Sequence, residues 1–209
     1  MSWYNEAVFY HIYPLGLTGA PKQNEYGEPV HRLNTLLPWI DHIKEIGCTA
    51  LYIGPLFESV GHGYETTDYR KLDSRLGDNE DFKDFVKKCH EAGIRVVVDG
   101  VFNHCGSFNK WLDAELLYQH AGGYPQGAYV SEDSPYRYFF QFHNENAWPF
   151  NDSYDGWWGH ATLPKLNYEE SPELYQYILG IAKKWVSAPF GADGWRLDVA
   201  ADLGRSAWM

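Results

Sequence analysis

Short apolar runs alternate along the chain with segments whose apolar residues recur at helical spacing. Runs rich in β-branched and aromatic residues predict strands, and the helically spaced segments predict amphipathic helices. The predicted strands cover 7–14, 49–55, 94–99 and 192–198, and the predicted helices cover 33–46, 79–92 and 174–186. Glycine and proline predict a loop from the end of the first strand to residue 30 and another over 61–69. Strands that alternate with helices through short connections indicate right-handed βαβ units and therefore a parallel sheet.

Two of the predicted helices carry recognisable end signals. Asn34 is expected to cap the first helix, and Gly47 is expected to end it. The second helix opens with Asn79-Glu80-Asp81, and its dipole favours acids in this first turn. Gly93 follows its last apolar residue and is expected to end it.

Polar side chains crowd the ends of two predicted strands. The run Ile94 to Val98 leads directly into Asp99, with Asn103 and His104 close behind. The stretch 192–198 has the same form, with Arg196 and Asp198 at its end. The carboxyl ends of parallel strands face the ligand in α/β proteins, so these two strand ends predict a functional site.

The order of elements is β, α, β, α, β, a long insertion, α, β, which amounts to four βα units. This predicts an α/β fold, the first four units of a (β/α)8 TIM barrel. A doubly wound open sheet is the alternative, but it usually has a glycine-rich phosphate loop after its first strand, and Tyr13-Pro14-Leu15-Gly16 is unlike one. Residues 199–209 are expected to begin another helix, so we expect the chain to be part of a domain about twice as long.

The insertion after the third barrel strand runs from Cys105 to about His160 and is too long for an ordinary βα loop. It is rich in aromatic residues, including Trp111, Trp148 and Trp157, which a flexible linker would not contain. It is therefore expected to be an aromatic-rich subdomain. The predicted domains are the first part of the barrel over 1–104, the inserted subdomain over 105–167, and the continued barrel over 168–209.

Composition narrows the classes of function. The net charge of −11 and the absence of a basic run argue against nucleic-acid binding. No segment is long and apolar enough for a membrane span and no leader is evident at the N-terminus, so we expect a cytoplasmic protein without a membrane partner. Cys48, Cys89 and Cys105 are expected to be buried reduced thiols. The aromatic content of 17% suits either a site that stacks sugar rings or a core filled with large side chains.

Four motifs, in order along the chain, resemble those of one enzyme family. They are Gly63-Tyr64-Glu-Thr-Thr-Asp68-Tyr69, Asp99-Gly-Val-Phe-Asn103-His104, Leu163-Pro-Lys165-Leu-Asn167 and Gly194-Trp-Arg196-Leu-Asp198. The set resembles the α-amylase superfamily of glycoside hydrolases (family 13), in the form found in neopullulanases and cyclomaltodextrinases. The resemblance implies a retaining hydrolase that cleaves α-glucosidic bonds of malto-oligosaccharides or related α-glucans.

The resemblance also implies roles for individual residues. Asp198 would be the catalytic nucleophile and Arg196 its electrostatic partner, because a guanidinium beside a carboxylate keeps it ionised. Asp99 and His104 would bind sugar hydroxyls, and Tyr64 would stack beneath the sugar. Trp195 and Lys165 complete the predicted substrate-binding residues.

No cofactor is required by this chemistry. In the family, the residue equivalent to Asn103 can hold a structural calcium ion, for which Asp152 and Asp155 would be further ligands.

Other interpretations of these residues remain open. Arg196 and Asp198 would form an ordinary buried ion pair in many proteins, His104 would be a core histidine, and Asp99 with His104 would begin a metal site. A non-catalytic carbohydrate-binding or scaffold protein with an α-amylase-like barrel is the rival function. Two departures matter: Ala201-Asp202 stands where animal and fungal α-amylases have Lys-His, and the family's acid/base glutamate and third aspartate belong to later strands.

Overall fold

The computed structural model describes residues 2–118, 122–143 and 153–203. The strands are β1 (Phe9–Ile12), β2 (Ala50–Ile53), β3 (Phe57–Ser59), β4 (Thr66–Leu72), β5 (Arg95–Gly100) and β6 (Gly194–Leu197). The α-helices are α1 (Pro14–Leu17), α2 (Leu37–Glu45), α3 (Asn79–Glu91) and α4 (Pro172–Val186). Short 3-10 turns cover Trp3–Asn5, Arg32–Leu36, Arg137–Phe139, Trp157–Gly159 and Ala200–Asp202.

A four-stranded parallel sheet in the order β1-β2-β5-β6 confirms the predicted parallel α/β architecture. Its register pairs Ile53 with Val98 and Asp99 with Arg196. The last five residues of β5 are all buried, which explains its continuous apolar run. The register brings polar residues of neighbouring strands to the same end of the sheet.

Helix α3 begins as its sequence predicts. The Asp78 carboxylate accepts hydrogen bonds from the backbone amides of Glu80 and Asp81, and the Asp81 carboxylate accepts one from the amide of Asp78. This reciprocal arrangement is a capping box, which satisfies amides that have no partner within the helix. His31 also pairs with Asp81 at 2.6 Å between Nδ1 and Oδ2.

The predicted start of the first long helix was wrong. Residues Arg32–Leu36 form a 3-10 turn, and α2 begins only at Leu37, with Pro38 in its first turn. Proline suits this position because the first amides of a helix have no intrahelical acceptor. Asn34, the expected cap, donates instead to Oδ1 of Asp81 at 3.2 Å.

The predicted loop over 61–69 was also partly wrong. Strands β3 and β4 form a two-stranded sheet, and β4 already begins at Thr66. Along β4, buried positions are interrupted by exposed ones, as in a strand with one covered face. The segment is rich in polar residues, and this composition led to the prediction of a loop. At the other end of the chain, residues 200–202 form a 3-10 turn, and the rest of the predicted final helix lies outside the described residues.

The chain divides into two compact units. The first comprises 1–58, 69–100 and 181–197, and the second comprises 59–68, 101–180 and 198–209. In the first unit, the indole of Trp185 is buried and donates to the carbonyl of Tyr69 at 3.0 Å. In the second, Trp111 packs edge-on against Phe139 with ring centroids 5.4 Å apart. Much of the second unit comes from the predicted subdomain 105–167, whose boundaries stay a prediction.

The cysteines follow their expected state in part. All three are free, and Cys89 and Cys105 are buried, but Cys48 is only half-buried. Burial raises the pKa of Cys89 to about 12, so this thiol stays protonated at neutral pH. Within the described ranges, no helix has the length and apolarity needed to cross a membrane.

Candidate active site

Asp99 is the centre of a polar cluster in the first unit. It lies at the end of β5, and its side chain is fully buried. Its Oδ2 accepts a hydrogen bond from the Tyr52 hydroxyl at 2.7 Å, and its Oδ1 accepts one from Nη1 of Arg196 at 3.0 Å. Tyr52 comes from β2 and Arg196 from β6, so three adjacent strands build the cluster. A buried carboxylate held by two donors in this way is fixed in position and compensated in charge.

Two further contacts order this cluster. The His11 ring from β1 stacks on Tyr52 with centroids 4.2 Å apart and an interplanar angle of 10°. The Arg196 guanidinium lies 5.8 Å from the centre of the Tyr52 ring. All four strands of the parallel sheet therefore contribute a side chain near Asp99.

Gly54 allows the backbone of the residues after β2 to approach Asp99 closely. A Cβ at this position would lie 2.5 Å from Cβ of Asp99 and 3.1 Å from its backbone nitrogen, and the φ of Gly54 is +153°. Such contacts are too short to exist, and the backbone atoms of β5 cannot move away without breaking the sheet. Only glycine fits here.

We expect Gly54→Ala to destabilise the protein by about 1–3 kcal/mol, the usual cost of overpacking, and to reduce activity by displacing Asp99. Thermal unfolding and steady-state kinetics measure the two effects. Gly194→Ala is the matched control, because the nearest atom to its added Cβ is Cγ2 of Val97 at 3.9 Å. Equal stability of the two variants would contradict the prediction.

The second unit holds a cavity of about 360 Å³ that contains three of the predicted site residues, Tyr64, His104 and Asp198. Its lining is His62, Tyr64, His104, Trp157, His160, Thr162, Leu163 and Asp198. Asp198 follows the last residue of β6 and is followed by Val199 in a left-handed conformation with φ of 50°. The lining combines a carboxylate, imidazoles and aromatic rings, as expected of a site for a polar ligand with apolar faces.

His104 forms the buried wall of this cavity. Only 2% of the residue is exposed, and its ring stacks on Trp157 with centroids 5.8 Å apart. Burial lowers the pKa of His104 more than the charge of Asp198 raises it, so the imidazole is neutral at neutral pH. The stabilisation linked to this neutral form is complete above the ordinary histidine pKa of about 6.5 and is lost as the pH falls through the lower value of the folded state.

The loop that carries Tyr64 is held by Glu65. Oε2 of Glu65 accepts hydrogen bonds from the amides of Gly61 at 3.0 Å and His62 at 3.2 Å, while Oε1 lies 3.0 Å from Nε2 of His62. Burial raises the pKa of Glu65, but the hydrogen bonds and charge of His62 and the two amides outweigh it and lower the pKa overall. The carboxylate therefore closes the loop that presents Tyr64 to the cavity.

We expect Glu65→Ala to lower kcat/KM by about tenfold, because a loosened loop no longer positions Tyr64 against the sugar. Tyr64→Ala in the Glu65→Ala background should add little, and this non-additivity is the readout that separates positioning from general destabilisation. Since the pKa of Glu65 is lowered by folding, the stability it contributes is present above its unfolded pKa and is lost as the pH falls through its folded pKa. Independent losses from the two substitutions would exclude the positioning role.

Lys165 and Asn103 line a different cavity of the second unit, of about 240 Å³. The carboxamide oxygen of Asn103 is buried and accepts no hydrogen bond from any described residue. Within the described ranges, however, no group of three acidic, histidine or cysteine ligand atoms gathers around Asn103. The ammonium of Lys165 shares the cavity with Asp155 and would repel a divalent cation.

Calcium takes carboxylate, amide and backbone carbonyl oxygens, and Asn103 and Asp155 bring an amide oxygen and a carboxylate to this cavity. Asp152, another ligand expected from the sequence, lies outside the described residues. The calcium site at Asn103 stays a prediction.

Trp195 makes contacts typical of a packed side chain. Its indole nitrogen donates to the carbonyl of Ala182 at 3.3 Å, and its ring lies 6.0 Å from that of Phe57. These contacts lend no support to its expected role in binding substrate, which stays a prediction, as does that of Lys165.

Several residues of these two sites were not singled out from the sequence. Tyr52 and His11 lie inside strand runs, where an aromatic or histidine residue is an ordinary strand former. Glu65 stood inside a recognised motif, but only the fold shows that its carboxylate closes the loop. Trp157 and His160 lie just before the motif that begins at Leu163. This proximity was the available signal that they belong to the site.

Comparison with known proteins identifies the family. Residues 26–208 match the sequence profile of the alpha amylase catalytic domain. The chain is 33% identical to a cyclomaltodextrinase of Geobacillus thermopakistaniensis (strain MAS1), over 99% of the chain and 35% of that protein. It is also 33% identical to an intracellular maltogenic amylase of Bacillus subtilis, over 84% of the chain and 27% of that protein.

Solved structures agree with the sequence matches. The cyclic alpha-maltosyl-(1→6)-maltose hydrolase of Arthrobacter globiformis, in complex with that sugar, superposes with a TM-score of 0.77 at 30% identity, over 99% of the chain and 47% of the hydrolase. A debranching enzyme of Nostoc punctiforme superposes with a TM-score of 0.75 at 29% identity, over 99% of the chain and 46% of that enzyme.

The parallel sheet is thus that of an α-amylase-type catalytic domain, and the chain belongs to the α-amylase family of glycoside hydrolases. It spans about a third of the length of the first curated relative.

Proposed function

We propose that the protein hydrolyses α-glucosidic bonds of malto-oligosaccharides, linear or cyclic, with retention of configuration. The observation that carries the proposal is the cavity of the second unit, where Asp198 lies together with Tyr64 and His104. The names of the relatives support the substrate class: one is a cyclomaltodextrinase, and another was solved with a cyclic maltosyl-maltose. The rival function, an inactive scaffold, has no support in these names.

In the proposed reaction, a carboxylate oxygen of Asp198 attacks the anomeric carbon of the glucosyl unit in the cavity. The bond from that carbon to the glycosidic oxygen breaks, and this oxygen takes a proton from a carboxylic acid. By resemblance, that acid is a glutamate of a later strand. Water gives a proton to that glutamate and attacks the anomeric carbon, whose bond to Asp198 breaks, so that the sugar is released and both the carboxylate and the acid are regenerated.

Tyr64 and His104 would orient the sugar during this attack. The Tyr64 ring offers an apolar face for the sugar, and the neutral imidazole of His104 can donate a hydrogen bond to one of its hydroxyl groups. The resemblance also implies that Asp99, in the first unit, binds sugar hydroxyls. It gives Arg196, whose side chain is partly exposed, the role of electrostatic partner to Asp198.

The finer architecture is part of the same proposal. The four parallel strands would be consecutive strands of a (β/α)8 barrel, with the aromatic-rich segment as a subdomain after the third of them, β5. A cytoplasmic location is supported by the relative named intracellular maltogenic amylase.

The decisive test is product analysis by NMR in the protein that contains this chain. Maltoheptaose, β-cyclodextrin and pullulan are each incubated with the protein, and the anomer of the first product is observed. Release of the α-anomer from at least one of them is expected. Initial release of the β-anomer, or no hydrolysis of any of the three, would refute the proposal.

A further inference from the structure

Trp158 is the most exposed large apolar side chain of the described residues. It is 83% exposed, in a protein whose other tryptophans include the fully buried Trp185. Leaving an indole ring in water forgoes the stabilisation that its burial would provide. A single exposed apolar residue is ordinary in itself, so its meaning depends on how it is held and what it adjoins.

The backbone holds Trp158 in a conformation that bulky residues rarely adopt, with φ of 50° and ψ of 30°. The surrounding turn is tightly bonded: the amide of Trp157 donates to the carbonyl of Leu163 at 2.9 Å, and the amide of His160 donates to that of Trp157 at 3.0 Å. A Cβ on Gly156 would lie 2.2 Å from the carbonyl oxygen of His160, so the turn closes around a glycine. Strained backbone that is fixed by its surroundings is a pointer to function.

Trp158 continues a stack of rings that begins inside the cavity of the second unit. His104 stacks on Trp157 with centroids 5.8 Å apart and an angle of 28°, and Trp157 stacks on Trp158 at 5.4 Å and 26°. We call His104, Trp157 and Trp158 the aromatic wall. The first two line the cavity that holds Asp198, whereas Trp158 lies beyond its lining in solvent. The wall therefore extends the cavity outward with a flat apolar surface.

We propose that Trp158 is a second sugar-stacking site, which binds a glucosyl unit of the same α-glucan chain at a distance from the unit that is cleaved. The inference rests on the proposed function and specifies which substrates are favoured: chains long enough to reach both Tyr64 and Trp158. The rigid turn presents the indole without an ordering cost on binding, which is what a preformed binding surface requires. Trp158 would thus set preference by substrate length.

The test compares Trp158→Ala, Trp158→Phe and Tyr138→Ala in the protein that contains this chain. Tyr138 is the matched control, because it is an exposed aromatic residue of the same unit that does not line this cavity. For maltoheptaose, Trp158→Ala is expected to lower kcat/KM by about threefold to tenfold, the range of one aromatic stacking contact. For an activated α-maltoside, the loss of kcat/KM in Trp158→Ala should be much smaller. Trp158→Phe should keep most of the normal kcat/KM for maltoheptaose.

Calorimetric titration separates this inference from the proposed function. In an Asp198→Asn background, Trp158→Ala should weaken binding of maltoheptaose by the same factor and leave binding of maltose nearly as it was. Equal losses for long and short ligands, or no loss for either, would overturn the inference. A protein that hydrolyses no α-glucan would refute the proposed function, while the titration would still decide whether Trp158 binds sugar.

Discussion

Asp198→Asn is expected to abolish hydrolysis of α-glucans, with kcat reduced by at least about 10³-fold. An amide cannot form the ester intermediate, so the covalent route closes, whereas the size and shape of the side chain are unchanged. Asp198 lines the cavity together with Tyr64 and His104. These two residues are unchanged in the variant, so sugar binding should persist. Kinetics with maltoheptaose measure the loss, and calorimetric titration with maltoheptaose checks that binding persists.

The matched control for this substitution is Asp133→Asn. Asp133 is an exposed aspartate of the same unit that does not line the cavity, so its replacement removes the same charge without touching the site. Its activity should equal that of the unchanged protein. If Asp198→Asn kept a tenth of normal activity, or if Asp133→Asn lost as much activity as Asp198→Asn, Asp198 would not be the nucleophile.

The sheet was predictable because its strands carry strong local signals. The buried run before Asp99 has the composition of a strand covered on both faces, and the helices between the strands have clear periodicity and end residues. The hairpin of β3 and β4 was missed because its second strand is rich in polar residues such as Thr67 and Asp68. Strand pairing of that kind depends on which face the fold covers, and this is set by residues distant in sequence.

Candidate site residues could be named from the sequence but their contacts could not, and the roles given to these residues stay predictions. The resemblance implied that Arg196 is the electrostatic partner of Asp198, and this pairing stays a prediction. The structure shows that Arg196 donates a hydrogen bond to Asp99, its register neighbour on β5, a contact that the sequence did not predict. This contact depends on the register between β5 and β6, two strands that lie far apart in the sequence.

Arg196→Met is expected to destabilise the protein by about 1–3 kcal/mol and to lower kcat/KM by at least about tenfold. The substitution keeps most of the side-chain length but removes the guanidinium that donates to Asp99. The fully buried Asp99 would keep the Tyr52 hydroxyl as a donor but lose its countercharge. The expected loss of stability is smaller than for a wholly buried ion pair. The Arg196 side chain is 43% exposed, so water compensates part of the charge.

Arg95→Met is the matched control, because Arg95 also reaches a strand-end aspartate, Asp193, at 2.6 Å, but at the opposite end of β5 and with its side chain 53% exposed. Asp193 keeps His90 and the amide of Val96 as partners, so this loss should be about 0–1 kcal/mol, with no change in kcat/KM. Thermal unfolding and kinetics of both variants give the comparison. Equal destabilisation with unchanged activity in Arg196→Met would show that the Asp99 cluster is an ordinary structural ion pair. A substrate-binding cluster predicts that Arg196→Met loses activity selectively. Arg196→Lys should reverse this loss in part, because lysine restores the charge without the planar fork of donors.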